Sequence, residues 1–321
     1  MPWAPGQPDA LIDGDQQIIV NPEGTQLFAV NAHTNKIAVF HINSDGSLTA
    51  VSGSPFPSGG QEPISLGLDD LGGSKSYLIV LNKNSDPNQT GGVPNYTTFN
   101  VSSAGFMHRN AGSTFNLPAG TSPAQVLKRP SGSKFFRIEF LGNDVAGYMY
   151  NSNGTTPRLS KTTPPGTSPS PLGAVMHPTD SVFYVCLPFQ SQIAVYSISA
   201  GVATFIKAVA NPGKIVCWLA VNSAGTRLYS SETGSGTVST YDISKASSPI
   251  HLQQISVTGT GALPTNAALD TTESFLYIVD RTNVLHVIDV LSDGTLSETL
   301  TPVTLPTPAG TTPMGIAVLS K

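Results

Sequence analysis

Two glutamates, Glu139 and Glu232, occupy the same place in a repeated five-residue segment, each closing a short apolar run, FFRIE and LYSSE. The other copies, LFAVN, LIVLN, FYVCL and LYIVD, end in Asn31, Asn82, Leu187 and Asp280, so five of the six equivalent positions carry oxygen. A carboxylate at such a position suits general-base chemistry, and several together suit a hard cation such as Ca²⁺. The same residue types at a strand end also bond the backbone of the following turn. Glu139 is the harder of the two to read as turn chemistry, because it follows Arg137 within an aromatic strand.

A second set of polar residues stands where the chain enters the strand before each of these runs: Gln61 and Glu62, Gln125, Trp218 and Asn266. Amides and acids there would orient a substrate, and Trp218 would stack on a sugar or an aromatic acid. The alternative for Trp218, flanked by Cys217 and Leu219, is packing in the core. The six histidines show no HxH, HxxxH or HExxH spacing, so no zinc ligands are nominated. No GxSxG elbow occurs, and the glycine-rich stretches join strands rather than opening a helix, which leaves no nucleotide cofactor implied.

The elements that must position these residues are strands. The second residues of the six runs, Phe28, Ile79, Phe136, Tyr184, Tyr229 and Tyr277, are 51, 57, 48, 45 and 48 residues apart, a period in the range of β-propeller blades. Each run is preceded by a small, two-sided apolar strand such as QQIIVN (16–21) or CWLAVN (217–222), as a crowded propeller axis requires. It is followed by an alternating strand such as KIAVFHI (36–42) or VLHVIDV (284–290), and then, through Asp45-Gly46 or Asp293-Gly294, by an outer strand. The segment Ser85–Pro94 adds a loop to the second repeat. Residues 313–320, PMGIAVLS, read as a seventh first strand. The sequence therefore predicts one all-β domain over 1–321: a β-propeller of four-stranded blades, of the seven-bladed type with the last blade incomplete. It has six full repeats plus one extra first strand, and residues 1–15 form an irregular N-terminal segment. An upstream segment would complete the last blade; the alternatives are six blades that close with the last strand placed unusually, or a gap filled by another chain.

Charged residues make up only 11% of the chain, and Gly, Pro, Ser and Thr are abundant, which suits short strands and tight turns rather than helices. The net charge of −4 comes without a basic stripe, which argues against nucleic acid as a partner. No run reaches the roughly 18 apolar residues of a membrane helix, which argues against a membrane partner. The two cysteines, Cys186 and Cys217, lie in apolar surroundings and read as buried thiols, with an inter-blade disulfide as the alternative. Low charge and high Ser/Thr content lean toward an extracellular setting.

Along nearly its whole length the sequence resembles the lactonase-like, or YVTN-repeat, seven-bladed propellers, through LFAVNAHTNKIAVFHINSDGSLTAVSGSPFPSGGQEPISL (27–66), CWLAVNSAGTRLYSSETGSGTVSTYDIS (217–244) and FLYIVDRTNVLHVIDVLSDGTLSE (275–298). That superfamily includes 6-phosphogluconolactonases and 3-carboxymuconate cyclases. The resemblance implies a lactonase or cyclase acting on a sugar acid or muconate-type acid. The family's site pattern is not retained. Where lactonases carry a first-strand His, this chain has Ala124 and Gln125. Where they carry a basic residue at the start of the next blade it has Ser170-Pro171-Leu172, and where they carry an acid at the end of that blade's second strand it has Leu187. Two functions follow as expectations. One is an enzyme for a small-molecule acid or lactone, with Glu139 or Glu232 as base and Asn31, Glu62, Asn82, Gln125, Trp218, Asn266 and Asp280 binding substrate. The other is a non-catalytic propeller presenting its loops to a protein or glycan partner.

Overall fold

The computed structural model describes residues 14–70, 75–84, 92–130, 132–151, 154–308 and 312–319. The chain divides into two compact units, one of Met1–Lys161 with Leu319–Lys321 and the other of Thr162–Val318. Within the first unit three antiparallel sheets follow in chain order. Sheet 1 holds β1 (Ile18–Val20), β2 (Gln26–Asn31), β3 (Lys36–Ile42) and β4 (Leu48–Ala50), with β5 (Phe56–Pro57) also on β3. Sheet 2 holds β6 (Pro63–Asp70), β7 (Lys75–Asn82), β8 (Asn95–Ser102) and β9 (Met107–Asn116). Sheet 3 holds β10 (Pro123–Lys128), β11 (Lys134–Glu139), β12 (Asp144–Asn151) and β13 (Gly154–Thr162).

The second unit repeats the plan. Sheet 4 is β14 (Ala174–Met176), β15 (Val182–Leu187), β16 (Gln192–Ser199) and β17 (Val202–Ala210), and sheet 5 is β18 (Val216–Val221), β19 (Arg227–Glu232), β20 (Thr237–Asp242) and β21 (Ile250–Ser256). Sheet 6 is β22 (Pro264–Leu269), β23 (Phe275–Asp280), β24 (Val284–Val290) and β25 (Leu296–Ser297), with β26 (Val303–Thr304) also on β24. Among the described residues, helix is confined to two 3-10 turns, Ala32–Thr34 and Pro188–Gln190. No described helix is long and apolar enough to cross a membrane.

The seven-bladed expectation is corrected: among the described residues six sheets are present, each with its own first strand. Residues 313–319, read as an extra first strand, belong to no strand. The physical reason is that all six second strands already pair with a first strand, so no ladder remains for the tail to join. Of the N-terminal segment 1–15, Gly14 and Asp15 are described, and most of the Ser85–Pro94 loop lies outside the described residues.

The second strands β7 and β19 are apolar on both faces because each is packed between two neighbouring sheets. Along β7, Leu78 and Val80 enter the core shared with Phe28 and Ile37 of sheet 1, while Ile79 and Leu81 enter the core shared with Val126 and Phe135 of sheet 3. In the second unit, Leu228 packs with Tyr184 and Val195 of sheet 4, and Tyr229 with Leu276 and Ile278 of sheet 6. The Asn or Asp ending several first strands closes the turn that follows. Asn21 Oδ1 accepts from the amides of Thr25 and Gln26, Asn222 Oδ1 from those of Thr226 and Arg227, and Asp270 from those of Thr272 and Phe275.

Candidate functional site

In all six sheets the last residue of the second strand faces the first residue of the third: Asn31 and Lys36, Asn82 and Asn95, Glu139 and Asp144, Leu187 and Gln192, Glu232 and Thr237, Asp280 and Val284. In sheets 2, 3, 5 and 6 it also faces the first residue of the first strand, and the register shifts immediately afterwards. That bulge re-aims the residues that follow it. In the same four sheets a backbone clasp closes this end: the amides of Lys83, Phe140, Thr233 and Arg281 donate to the carbonyls of Glu62, Ser122, Ile215 and Leu263. The four clasped positions share this pairing and bulge, so what each can do depends on its side chain.

In the first unit Glu139 is fully buried, and its Oε1 accepts from the amides of Ser122 at 2.5 Å and Gly142 at 3.2 Å. It therefore does perform turn chemistry. Its Oε2 has no hydrogen-bond partner, and neither has Arg137 Nε, which stands 3.8 Å away. Arg137 Nη2 pairs with Asp144 at 2.7 Å, and Lys161 meets the other Asp144 oxygen at 3.0 Å. Burial pushes the Glu139 carboxyl above the usual range, against Arg137 and the two amides, which pull it down. Arg137 also lies 5.9 Å from the Tyr148 ring centroid.

Asp15, which the sequence reading did not single out, is tied to the first strand of the same sheet. Its amide donates to Ala124 O, next to Pro123, the partner of Glu139 in the ladder. Burial pushes its carboxyl up to about 7, with the Gln16 amide as the opposing bond. Gln125, buried, donates from Nε2 to Gln16 Oε1 at 3.2 Å. Asp15 occurs before any repeat residue, so no periodic signal could find it. Glu62 is buried with φ +57°, a left-handed conformation, and its amide donates to Asn35 Oδ1. Asn82 is buried and spends Nδ2 on Ser58 O and Asn95 Oδ1, leaving Oδ1 unpartnered, whereas Asn31 is exposed.

In the second unit the equivalent acids are saturated. Glu232 Oε1 accepts from Asn211 Nδ2 at 2.9 Å and Ser230 Oγ at 2.6 Å, and Oε2 from Thr237 Oγ1 at 2.8 Å and Gln254 Nε2 at 3.5 Å. Asp280 accepts from the Leu263 and Thr282 amides and from Thr282 Oγ1, and its Oδ2 lies 3.3 Å from His286 Nε2. His286 Nδ1 is 2.6 Å from Glu298 Oε1. Burial works against a charged imidazole, but the two carboxylates outweigh it and hold His286 above its ordinary value. The hydrogen bonds from His286, Thr282 and Leu263 likewise outweigh burial and hold Asp280 low. The sequence reading placed His286 as an ordinary alternating-strand residue and missed Glu298, since only the fold of β25 against β24 brings the two together.

Trp218 lies inside the sheet, 1% exposed, so its ring presents no face to a ligand. The reason is close backbone packing beside it: the Gly173 amide donates to Cys217 O at 3.0 Å, and a Cβ at Gly173 would stand 2.2 Å from that oxygen. Asn266 is buried and donates to Met314 O. Cys186 and Cys217 are buried thiols that form no disulfide. For the Ca²⁺ reading, no group of three or more His, Cys, Asp or Glu side chains able to hold a metal ion occurs among the described residues.

No protein-family model matches the sequence, and no curated protein does. Solved structures match its fold. A candidate 6-phosphogluconolactonase from Bacteroides uniformis superimposes with TM-score 0.75 at 13% identity, covering 90% of this chain and 84% of that one. A β-propeller domain from Myceliophteria thermophila covers 96% of this chain and 91% of its own with TM-score 0.67 at 10% identity. The fold is a β-propeller of four-stranded blades. The propeller is similar also to the periplasmic gluconolactonase of Pseudomonas aeruginosa, with TM-score 0.71 at 18% identity, covering 90% of this chain and 85% of that one. At these identities the likeness is one of architecture, and the site must be judged on its own residues.

Proposed function

We propose that this chain is a lactonase-like propeller acting on the ring ester of a sugar acid or muconate-type acid, with Glu139 as its base. The observation that carries the reading is the buried ion pair of Glu139 Oε2 and Arg137 Nε, 3.8 Å apart and each without a hydrogen bond. A carboxylate with one oxygen fixed by two amides and the other unsatisfied is oriented and raised toward the operating range of a general base. In hydrolysis Oε2 takes a proton from water, whose oxygen adds to the lactone carbonyl carbon. The ring C–O bond then breaks, and the departing oxygen receives that proton as the new alcohol. Arg137 faces the developing oxyanion. Because Glu139 is fully buried, substrate access requires the Leu141–Asn143 turn to move, which releases the Gly142 amide and leaves the Ser122 amide to hold Oε1. The lactonases among the structural neighbours support the substrate class. Glu232, with both oxygens occupied, is not assigned the role.

The test is hydrolysis of gluconolactone, 6-phosphogluconolactone and muconolactones, with and without Ca²⁺, by wild type and Glu139→Gln. Turnover that disappears in the variant supports the assignment. Rates no greater than buffer from folded wild type refute it and favour the second reading, a non-catalytic propeller binding a protein or glycan. One observation favours that alternative: both nominated glutamates are fully buried and bonded to their surroundings.

A further inference from the structure

Within the second unit, at the end of sheet 5 opposite Glu232, lies a polar pocket of about 340 Å³. It sits where the turns opening β19 and β23 meet the β24–β25 turn, and it is lined by Arg227, Tyr229, Glu273, Ser274, Ser292 and Asp293 among others. Its volume falls at the lower end of the roughly 300–1,000 Å³ of small-molecule sites.

The polar atoms of the pocket divide into two groups. Arg227 is held by backbone through three of its five N–H groups: Nε and Nη2 donate to Asp293 O at 3.0 and 2.7 Å, and Nη1 to Thr226 O at 2.9 Å. It lies over Gly294, where a Cβ would stand 2.4 Å from Nε. The guanidinium is therefore part of the wall. The second group is uncommitted. Tyr229 is 1% exposed, yet its hydroxyl makes no hydrogen bond among the described residues, and burial pushes it up to about 12. Glu273 spends Oε1 on the Ser223 amide, leaving Oε2 free, and the side-chain hydroxyls of Ser274 and Ser292 are also without partners among the described residues. A tyrosine whose ring is buried and whose hydroxyl, bonded to no protein group among the described residues, opens onto a cavity offers both a donor and an acceptor to a ligand there.

We infer that this pocket binds a neutral polyhydroxylated ligand, a sugar unit, whose neighbouring hydroxyls bond the Tyr229 hydroxyl, Glu273 Oε2 and the serine hydroxyls. The charges select against ions of either sign. The carboxylates of Glu273 and Asp293 repel an anion, and the positive charge of Arg227, held in the wall by three backbone hydrogen bonds, opposes a cation. Free hydroxyls that both donate and accept, beside a carboxylate that only accepts, match a vicinal diol. The same chemistry comes from a free hexose or from the end of a glycan.

The test is calorimetric titration of the full chain with glucose, galactose and mannose, with their β-linked oligosaccharides, and with gluconate and glucose 6-phosphate as anionic controls. A neutral sugar is expected to bind, Tyr229→Phe to weaken it about fivefold to tenfold, and Ser292→Tyr, which fills the pocket from an exposed turn, to abolish it. The unfolding midpoint of Tyr229→Phe should not fall, since no hydrogen bond within the protein is removed. Binding of monosaccharides identifies a free sugar as ligand, and binding of oligosaccharides alone identifies a glycan end. No binding by any neutral sugar, equal affinity in Tyr229→Phe, or tighter binding of the anionic controls would overturn the inference.

Discussion

Glu139 in the first unit and Glu232 in the second stand at the same place in the blade, yet one has an unpartnered oxygen and the other has four donors on its two oxygens. The difference arises in the neighbours. Opposite Glu139 the third strand offers Asp144, an acceptor that draws Arg137 away, whereas opposite Glu232 it offers Thr237, a donor. Asn211 and Ser230 complete the shell around Glu232. A repeat can thus keep a carboxylate in place and turn it from a reactive group into a brace by changing what faces it.

The largest effect expected from this contrast is on catalysis. Glu139→Gln should lower lactone turnover by about 10²-fold or more, the usual worth of a general base, while the amide oxygen still accepts from Ser122 and Gly142 and the unfolding midpoint stays close to wild type. A rate that survives the substitution breaks the comparison. Next comes stability in the second unit. Glu232→Ala leaves the Asn211, Ser230, Thr237 and Gln254 donors without their acceptor and should cost about 2–4 kcal/mol in denaturant unfolding, with turnover per folded molecule unchanged.

The acids also differ in their pH response. His286, raised above its ordinary value, contributes stability that is fully present below about pH 6.5 and is lost as the pH rises through its folded-state value. Asp280, lowered, contributes stability present above about pH 3.9 and lost as the pH falls through its folded-state value. The cluster is therefore firmest between about pH 4 and 6.5. Thermal unfolding of His286→Gln should lose the decline on the alkaline side of that window; a wild-type midpoint flat from pH 6 upward would count against a charged His286. Glu139 also favours the fold less as the pH rises, but there the cause is a buried charge appearing rather than one disappearing. The smallest effect is at Asn31, which is exposed: Asn31→Ala should change unfolding free energy by no more than about 0.5 kcal/mol.

Much of the fold was legible because strand and turn signals are local. Runs such as LIVL read as two-sided strands, and Asp45-Gly46 and Asp293-Gly294 read as hairpin turns; both glycines have positive φ. The blade number was not legible, since PMGIAVLS has a strand's composition and only the absence of a free ladder keeps it out of one. The candidate residues could be located along the strands but not judged. Whether Glu139 or Glu232 has an oxygen to spare depends on Asp144, Thr237 and Asn211, which the repeat pattern does not mark. Asp15, Glu298 and the Arg227–Tyr229 pocket depend on contacts between segments far apart in the chain.

The backbone clasp found in sheets 2, 3, 5 and 6 is not seen in sheets 1 and 4, and those two sheets share other traits. Each begins with a three-residue first strand, and in each the second strand runs into a 3-10 turn that ends in a left-handed residue, Asn35 or Ser191. In sheet 4 the residue that would donate is Pro188, which has no N–H. From position 31 to position 187 and from 35 to 191 is 156 residues in both cases. Counted by these features, the six blades fall into a three-blade pattern that occurs twice, one blade of the unclasped kind followed by two of the clasped kind.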